Sequence, residues 1–318
     1  MKVLGLSCGR PMSNSEVLLR EALMGAEEKG AETEIIRLLN LTVKHCIGCL
    51  SCQQTGECVQ KNDHIPFLID KMVAADGIIL SAPAYSWTPP GFLLMLRDRL
   101  IMMQRTKFHK PTRGAFIVVG GSNWVNLCLP LMEWCLFPHG QVKYVDQMMS
   151  PFTADLSQIV LNKYALARAR KLGQNMGEAV KLPIDQVKYI GSGMKVSDAE
   201  IKFFSEAMEM PANEIKYEVD VEDTCPLCHS NLIQIHGDFI SCAICDMKGK
   251  LSIDGKKIKV TFDDVELNRA RKSEWETNRH GQYVRHSRKI ITENAEEIKK
   301  RLVKYREFKE VTKAPKLK

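Results

Sequence analysis

The chain has 318 residues, 45% of them hydrophobic, and a formal net charge of +7. That length exceeds one ordinary domain, and the apolar share is enough for a real core. No run approaches the ~18 uninterrupted apolar residues of a membrane span, and Met1–Leu6 lacks the long apolar region and cleavage site of a secretory signal. A cytoplasmic location is the expectation, and there eleven cysteines point to metal binding rather than disulfides. The charge is unevenly placed: residues 251–318 hold 19 Lys/Arg against 11 Asp/Glu, a net +8, which leaves the rest near −1. A solvated basic tail is the plain expectation, and neither a membrane nor nucleic acid is an expected partner.

Lys2–Ser7 reads as a short buried strand ending in the polar loop Ser7–Ser15. A helix follows, with Val17, Leu18, Ala22, Leu23 and Ala26 at helical spacing. Glu32–Leu39 is the second strand. Ile65–Ala75 reads as an apolar-faced helix and Gly77–Ala82 as a continuous apolar strand. The loop Pro83–Pro90 precedes a helix over Gly91–Gln104. Ala115–Val119 is the fourth strand, ending in Gly120–Asn123. A helix carrying Trp124, Leu127, Leu131 and Trp134 comes next, then a fifth strand over Gln141–Met148 and a closing helix over Ser157–Lys181. Apolar strands alternating with helices predict a parallel sheet covered on both faces. Five strands in this rhythm predict an α/β fold of flavodoxin-like, doubly wound type. Its ligands sit beyond the carboxyl ends of the strands, where strand order reverses.

After the second strand come Cys46, Cys49, Cys52 and Cys58, spaced C-x2-C-x2-C-x5-C. Each two-residue gap lets the chain turn and aim successive sulfurs at one centre, and a cubane of four irons needs four such ligands. Zinc usually pairs two short knuckles across a longer gap. A 4Fe-4S cluster is therefore the expectation, with zinc, disulfides or unligated thiols as alternatives.

Three loops at strand ends suggest a flavin. In the first, Gly9 permits close backbone approach, Ser7, Ser13, Asn14 and Ser15 offer hydrogen bonds, and Arg10 adds charge. The helix beginning near Ser15 turns free N–H groups and its positive dipole end toward an anion. Pro83, Ala84, Tyr85, Ser86 and Trp87 supply flat groups on a proline-stiffened backbone. Gly120, Gly121, Ser122 and Asn123 can reach the far edge of the same ring. Together they predict FMN, with its phosphate at the first loop and its isoalloxazine between the second and third.

Ser7–Ser15 resembles the phosphate loop of the NADPH-dependent FMN reductase superfamily. Ala82–Tyr85 with Pro89–Gly91 and Leu96–Arg99 resembles that superfamily's second flavin loop and its following helix, which ends in an Asp–Arg pair. The compact cysteine motif after the second strand resembles the mark of its iron–sulfur flavoprotein branch. Over residues 1–182 the resemblance implies a homodimer or tetramer with one FMN and one 4Fe-4S cluster per subunit. It places the cluster near a flavin across a subunit interface, with ferredoxin as the electron source. By position it implies Cys46, Cys49, Cys52 and Cys58 as cluster ligands. Ser7, Arg10, Ser13, Asn14 and Ser15 would hold the phosphate, and Pro83–Trp87 with Gly120–Asn123 the ring. The first loop departs from the family in Cys8–Gly9–Arg10–Pro11, where a Pro–Arg pair is commoner; Cys8 reads as a packing residue.

Residues 183–216 read as a linker with a helix over Ser197–Met210. Cys225 and Cys228 then form one C-x2-C knuckle, and Cys242 and Cys245 a second. Between them, Leu232–Ile235 and Phe239–Ser241 flank the turn His236–Gly237–Asp238 as a hairpin. Leu251–Ile253 and Ile258–Phe262 add strand sequence. Over residues 217–262 this predicts a small β zinc ribbon with closed tetrahedral thiolates, a rubredoxin-type iron site being the alternative. So few apolar residues leave metal binding to supply much of its folding energy. His229 and His236 read as surface residues. Residues 263–318 form a basic tail with Trp275, Tyr283 and a helix over Glu293–Arg306.

The functional expectation is an FMN-dependent oxidoreductase in which a cluster converts a one-electron supply into two-electron chemistry. The basic tail suits an acidic donor such as ferredoxin. Two alternatives remain: direct hydride transfer from NAD(P)H, and a redox carrier or sensor whose ribbon binds a partner. No Ser–His–Asp or paired-carboxylate arrangement suggests hydrolysis. Tyr85, His109 and His139 are available proton donors, and no motif selects among them.

Overall fold

A computed structural model of the chain describes residues 1–100, 111–121, 127–136, 142–151, 153, 158–191, 197–209, 211–212, 224–255, 257–262, 282 and 289–300. Strands β1 (Lys2–Ser7), β2 (Glu32–Arg37), β3 (Gly77–Pro83), β4 (Thr112–Val119) and β5 (Val142–Ser150) form one parallel sheet in the order β2-β1-β3-β4-β5. This is the flavodoxin-like order that the alternating elements predict.

Helix α1 (Asn14–Glu28) starts at Ser13, whose side chain accepts the Glu16 N–H. Next come a single turn, α2 (Cys52–Thr55), then α3 (Ile65–Ala74), α4 (Gly91–Leu100), α5 (Cys128–Leu136), α6 (Lys163–Ala179) and α7 (Asp198–Met208). Successive strand residues feed opposite cores, because side chains alternate along a strand. Val3, Ile79, Ile117 and Val145 pack with α1 and α6, while Leu4, Ile78, Phe116 and Val118 pack with α3, α4 and α5.

Boundaries differ from expectation where hydrogen bonding overrides the apolar pattern. β2 stops at Arg37 because Leu38–Asn40 tightens into a 3-10 turn. β4 starts three residues early, since Thr112–Gly114 pair with Val142–Tyr144 before a register shift at Gly114/Ala115. The closing helix divides into a 3-10 turn (Gln158–Leu161) and α6, which is restarted by Asn162: its side chain accepts the N–H groups of Tyr164 and Ala165. At α7, Ser197 and Glu200 form a reciprocal capping box.

Strands β6 (Ile233–Ile235), β7 (Ile240–Cys242), β8 (Lys248–Asp254) and β9 (Lys257–Phe262) make a four-stranded antiparallel meander. It packs directly on the main sheet: Cys225, Cys228, Cys242, Cys245, Ile244 and Met247 join the core that also holds Phe116 and Tyr144. His229 is accordingly not a plain surface residue. It is half-buried, with its ring stacked on Tyr189 at 3.6 Å between centroids and edge-on to Tyr144. His236 is exposed as expected. In the tail, residues 289–293 and 295–300 are helical. Trp124, His109, His139, Trp275, Tyr283, residues 101–104 and residues 301–306 lie outside the described residues. Among the described residues no helix is long and apolar enough to cross a membrane.

Candidate flavin and metal sites

Ser7 pairs in register with Ser81, and Pro83 with Val119. The loops after β1, β3 and β4 therefore leave one carboxyl edge side by side, at the place where strand order reverses.

The first loop is pulled against β3 by the Cys8 N–H, which donates to the Ser81 carbonyl at 2.8 Å. The hydroxyls of Ser13 and Ser15 lie 3.2 Å apart. A Cβ at Gly9 would stand 2.2 Å from Ser13 Oγ and 2.5 Å from Ser15 Oγ. Only glycine leaves this hollow open, and the hollow faces hydroxyls beside the start of α1, which suits a phosphate. Arg10 is exposed on the same loop. Two other predicted phosphate residues are engaged elsewhere. The Ser7 hydroxyl donates to Glu16 Oε2 at 3.4 Å, and Asn14 Oδ1 accepts the Ile159 N–H at 3.0 Å. Cys8 is buried, and burial, with a smaller contribution from Cys135, pushes its thiol up to about 12. That is an unreactive packing residue.

Glu16 is a site residue that sequence reasoning missed. It is wholly buried beneath the cradle. Arg37 donates through Nε and Nη2 at 2.8 and 2.9 Å, and Arg20 through the same two nitrogens at 3.1 and 2.9 Å. The spacing of Ser13 and Glu16 signals a helix start, but nothing local announces Arg37.

In the second loop Tyr85 and Thr88 bridge antiparallel, exchanging backbone hydrogen bonds of 2.8 and 3.1 Å. Ser86 and Trp87 between them hold φ of 46° and 69°. Both are left-handed, the pattern of a tight hairpin turn that normally uses Asn or Gly. Such conformations cost roughly 1–2 kcal/mol per residue, and strain of this kind clusters at ligand sites. The turn holds Tyr85 and Trp87 outward, 54% and 51% exposed. Pro83 and Ala84 continue β3, where the Ala84 N–H donates to the Val119 carbonyl at 2.7 Å. The third loop is fixed at Gly120, which donates to Ser150 and accepts from Thr153, and Gly121 is exposed. Ser122 and Asn123 lie outside the described residues.

The cysteine loop follows β2, beside β1. Polar rungs staple its base. Thr42 and His64 exchange hydrogen bonds, Lys44 Nζ donates to the Lys61 carbonyl at 2.7 Å, and Gln60 donates to the His45 carbonyl at 2.8 Å. Arg99 on α4 closes it by donating from Nη1 to both the Lys44 carbonyl and Asp63. Burial raises the Asp63 pKa, but Arg99 and the N–H groups of Lys44 and Ile65 outweigh it and hold the carboxyl below its usual range. Within the loop Gly48, Leu50 and Gly56 turn the chain through positive φ. Cys46 and Cys49 are exposed, and Cys52 and Cys58 partly so.

Cys225, Cys228, Cys242 and Cys245 are all buried, with sulfurs within 4.8 Å of one another; among the described residues this is the one group of three or more potential metal-ligating side chains so gathered. Sulfurs on a tetrahedral zinc at ~2.3 Å stand about 3.8 Å apart. Here Cys225–Cys245 is 3.3 Å and Cys228–Cys242 is 3.5 Å. Hydrogen bonds among the four hold Cys225 and Cys242 low and push Cys228 and Cys245 high, a conflict that a divalent cation removes. The Cys46–Cys58 loop is not gathered so tightly, and a cluster would hold its sulfurs farther apart than a single ion does.

Residues 1–150 match the family described as NADPH-dependent FMN reductase. The chain is 26% identical over 302 residues to the flavone synthase cfoJ of Aspergillus candidus, covering 84% of this chain and 83% of that one. It is 43% identical over 100 residues to an iron–sulfur flavoprotein of Methanocaldococcus jannaschii, covering 31% of this chain and 51% of that protein. With the iron–sulfur flavoprotein of Methanosarcina thermophila it shares 38% identity over 125 residues, or 38% and 64% of the two chains. It thus spans about half to two thirds of these iron–sulfur flavoproteins. A solved flavone reductase superposes with a TM-score of 0.75 at 25% identity, over 99% of this chain and 100% of that one. Its first 150 residues are thus similar to the NADPH-dependent FMN reductase family, and the chain is a flavin-dependent oxidoreductase.

Proposed function

We propose that the chain is an FMN-dependent oxidoreductase of the iron–sulfur flavoprotein type, fed by a small ferredoxin-like carrier through a 4Fe-4S cluster on Cys46, Cys49, Cys52 and Cys58. A bound flavin exchanges electrons singly or in pairs and a cluster singly, so the two together suit a one-electron donor and a two-electron acceptor. The observation that carries this reading is the placement of the stapled cysteine loop at the same carboxyl edge as all three flavin loops.

The open hollow at Gly9, the hydroxyls of Ser13 and Ser15 and the start of α1 would hold the phosphate, with Arg10 adding charge. Pro83–Trp87 would lie against the ring, and Gly120–Asn123 at its far edge. The buried quartet would hold zinc; with four thiolates it keeps no open coordination position, so its role is structural. A homo-oligomer is the assembly that the likeness to iron–sulfur flavoproteins suggests.

The flavone reductase matches this chain throughout, ribbon included, so a planar conjugated ketone of flavone type is the acceptor to try first. Direct reduction by NADPH is the second reading, favoured by the family of residues 1–150. Anaerobic protein should be analysed for iron, sulfide, zinc and flavin, then mixed with reduced ferredoxin or NADPH before a flavone is added. About four irons, one zinc and one FMN, with fast bleaching by ferredoxin, support the leading proposal. Bleaching by NADPH alone promotes the second. Two zincs and no iron remove the cluster.

A further inference from the structure

The two ends of the cysteine loop lie side by side, yet among the described residues a single backbone–backbone hydrogen bond joins them. The His64 N–H donates to the Thr42 carbonyl at 2.9 Å. Side chains make the other links, and one of these is a buried ion pair. Asp63 and Arg99 are each 1% exposed in their side chains. Asp63 Oδ2 accepts from Arg99 Nη1 at 2.5 Å and from the Lys44 N–H at 3.3 Å, and Oδ1 accepts the Ile65 N–H at 3.2 Å. Arg99 Nη1 also donates to the Lys44 carbonyl at 2.6 Å. Both backbone groups of Lys44, just before Cys46, are therefore held by this one pair.

Arg99 comes from outside the loop. Among the described residues, it is the one side chain from beyond residues 41–64 that hydrogen-bonds to residues 41–62. Leu93, Leu96 and Leu100 bury its helix, α4, in the core, so α4 is a fixed post for the loop. Cys52 and Cys58 pack against that same core, whereas Cys46 and Cys49 are exposed. Core packing thus places the second pair of cysteines, and the first pair depends on the anchor at Lys44. A buried ion pair adds little net stability over apolar packing, and its best-attested use is to fix one register. Closing the neck in advance also removes part of the entropy that an open loop would lose on ligation.

We propose that Asp63 and Arg99 are positioning residues for the cysteine loop: by holding Lys44 on α4 they seat Cys46 and Cys49 for the iron–sulfur cluster. This inference rests on the cluster assigned above to Cys46, Cys49, Cys52 and Cys58. Neither residue is itself a ligand. Groups that orient ligands without touching the metal change its affinity by roughly 10–100-fold.

The test challenges the full chain, purified anaerobically with its metals and flavin, with an iron chelator. Iron release is followed optically, and zinc and FMN contents are measured alongside. Arg99→Gln and Asp63→Asn should each release iron ~10–100-fold faster than the unaltered protein. Nη1 alone makes both Arg99 contacts, so an ammonium can replace it in kind, and Arg99→Lys should recover at least ~3-fold of the loss. Asp63→Asn combined with Arg99→Gln should release iron at most ~3-fold faster than the worse single variant, because the pair acts as one unit. Zinc and FMN should stay bound throughout, while the EPR spectrum of the remaining reduced cluster broadens, a signature that general loss of stability does not produce. If Arg99→Gln does not fold, Arg99→Lys and Asp63→Asn decide by the same readings. Unchanged iron release, additive losses in the double variant, or zinc and FMN lost in step with iron would overturn the proposal. Unaltered protein that contains no iron would instead remove the cluster itself, and the proposal with it.

Discussion

Arg37 reaches back 21 residues to grip Glu16 through both Nε and Nη2, and the carboxylate it holds is wholly buried. The hydrogen bond from Arg37, opposed by burial and helped by Arg20, lowers the Glu16 carboxyl from 4.5 to about 2. A folded pKa below the unfolded one gives stability that is present above about pH 4.5 and lost as pH falls toward 2. Glu16→Gln should therefore lower the unfolding free energy by roughly 2–3 kcal/mol at pH 7, and the deficit should shrink by about half near pH 3. Denaturant melts of both proteins at both pH values check this. Any acid loss of metal is common to the pair and cancels in the difference. An equal deficit at both pH values would remove the ionised carboxylate as its cause.

Gly9 separates recognition of the phosphate from recognition of the ring. A methyl group there would press on Ser13 Oγ and Ser15 Oγ, at 2.2 and 2.5 Å, where the phosphate is proposed to sit. Gly9→Ala should weaken FMN by ~100-fold while changing riboflavin, which has no phosphate, by less than ~3-fold. Fluorescence-quenching titrations of the two flavins measure the ratio. An unchanged preference for FMN would place the phosphate elsewhere.

What the sequence made legible was local or periodic. The apolar runs gave the strand rhythm, and β1 spans Lys2–Ser7 as its pattern predicts. Knuckle spacing announced the Cys225–Cys245 quartet, because a C-x2-C turn is set by its own few residues. What stayed hidden joins positions far apart in the chain. Arg99 meets Lys44 and Asp63 across 55 and 36 residues, and no periodicity encodes which cation closes which loop. The docking of the ribbon was equally hidden, since it depends on Tyr189 stacking against His229, a histidine whose own neighbourhood reads as surface.

The Ser86–Trp87 turn tests whether backbone strain serves the ligand. Trp87 holds φ of 69°, a region glycine occupies without cost. Trp87→Gly should stabilise the flavin-free protein by up to ~1 kcal/mol and weaken FMN by ~10-fold, because it removes the exposed indole proposed to lie against the ring. Melting of the apoprotein and FMN titration give the two halves independently. A variant both more stable and equally tight for FMN would leave the tryptophan without a role in flavin binding.

The two cysteine quartets differ in how they are held, and their loss should differ likewise. Cys49 is exposed, and the Ser51 N–H and hydroxyl keep its thiol below the ordinary range. Cys242 is fully buried in a core shared with the main sheet. Cys49→Ser should cost the protein most of its iron, keep its zinc, and change stability by about 0.5 kcal/mol or less, as a substitution outside the core does. Cys242→Ser should lose the zinc and several kcal/mol, because a closed thiolate site contributes folding energy directly. Metal analysis alongside thermal melts distinguishes the cases. If Cys49→Ser melted as low as Cys242→Ser, the first loop would be a folding element rather than a redox one. If Cys242→Ser kept its zinc and its melting point, the ribbon would owe its stability to the Tyr189–His229 contact and the shared core instead.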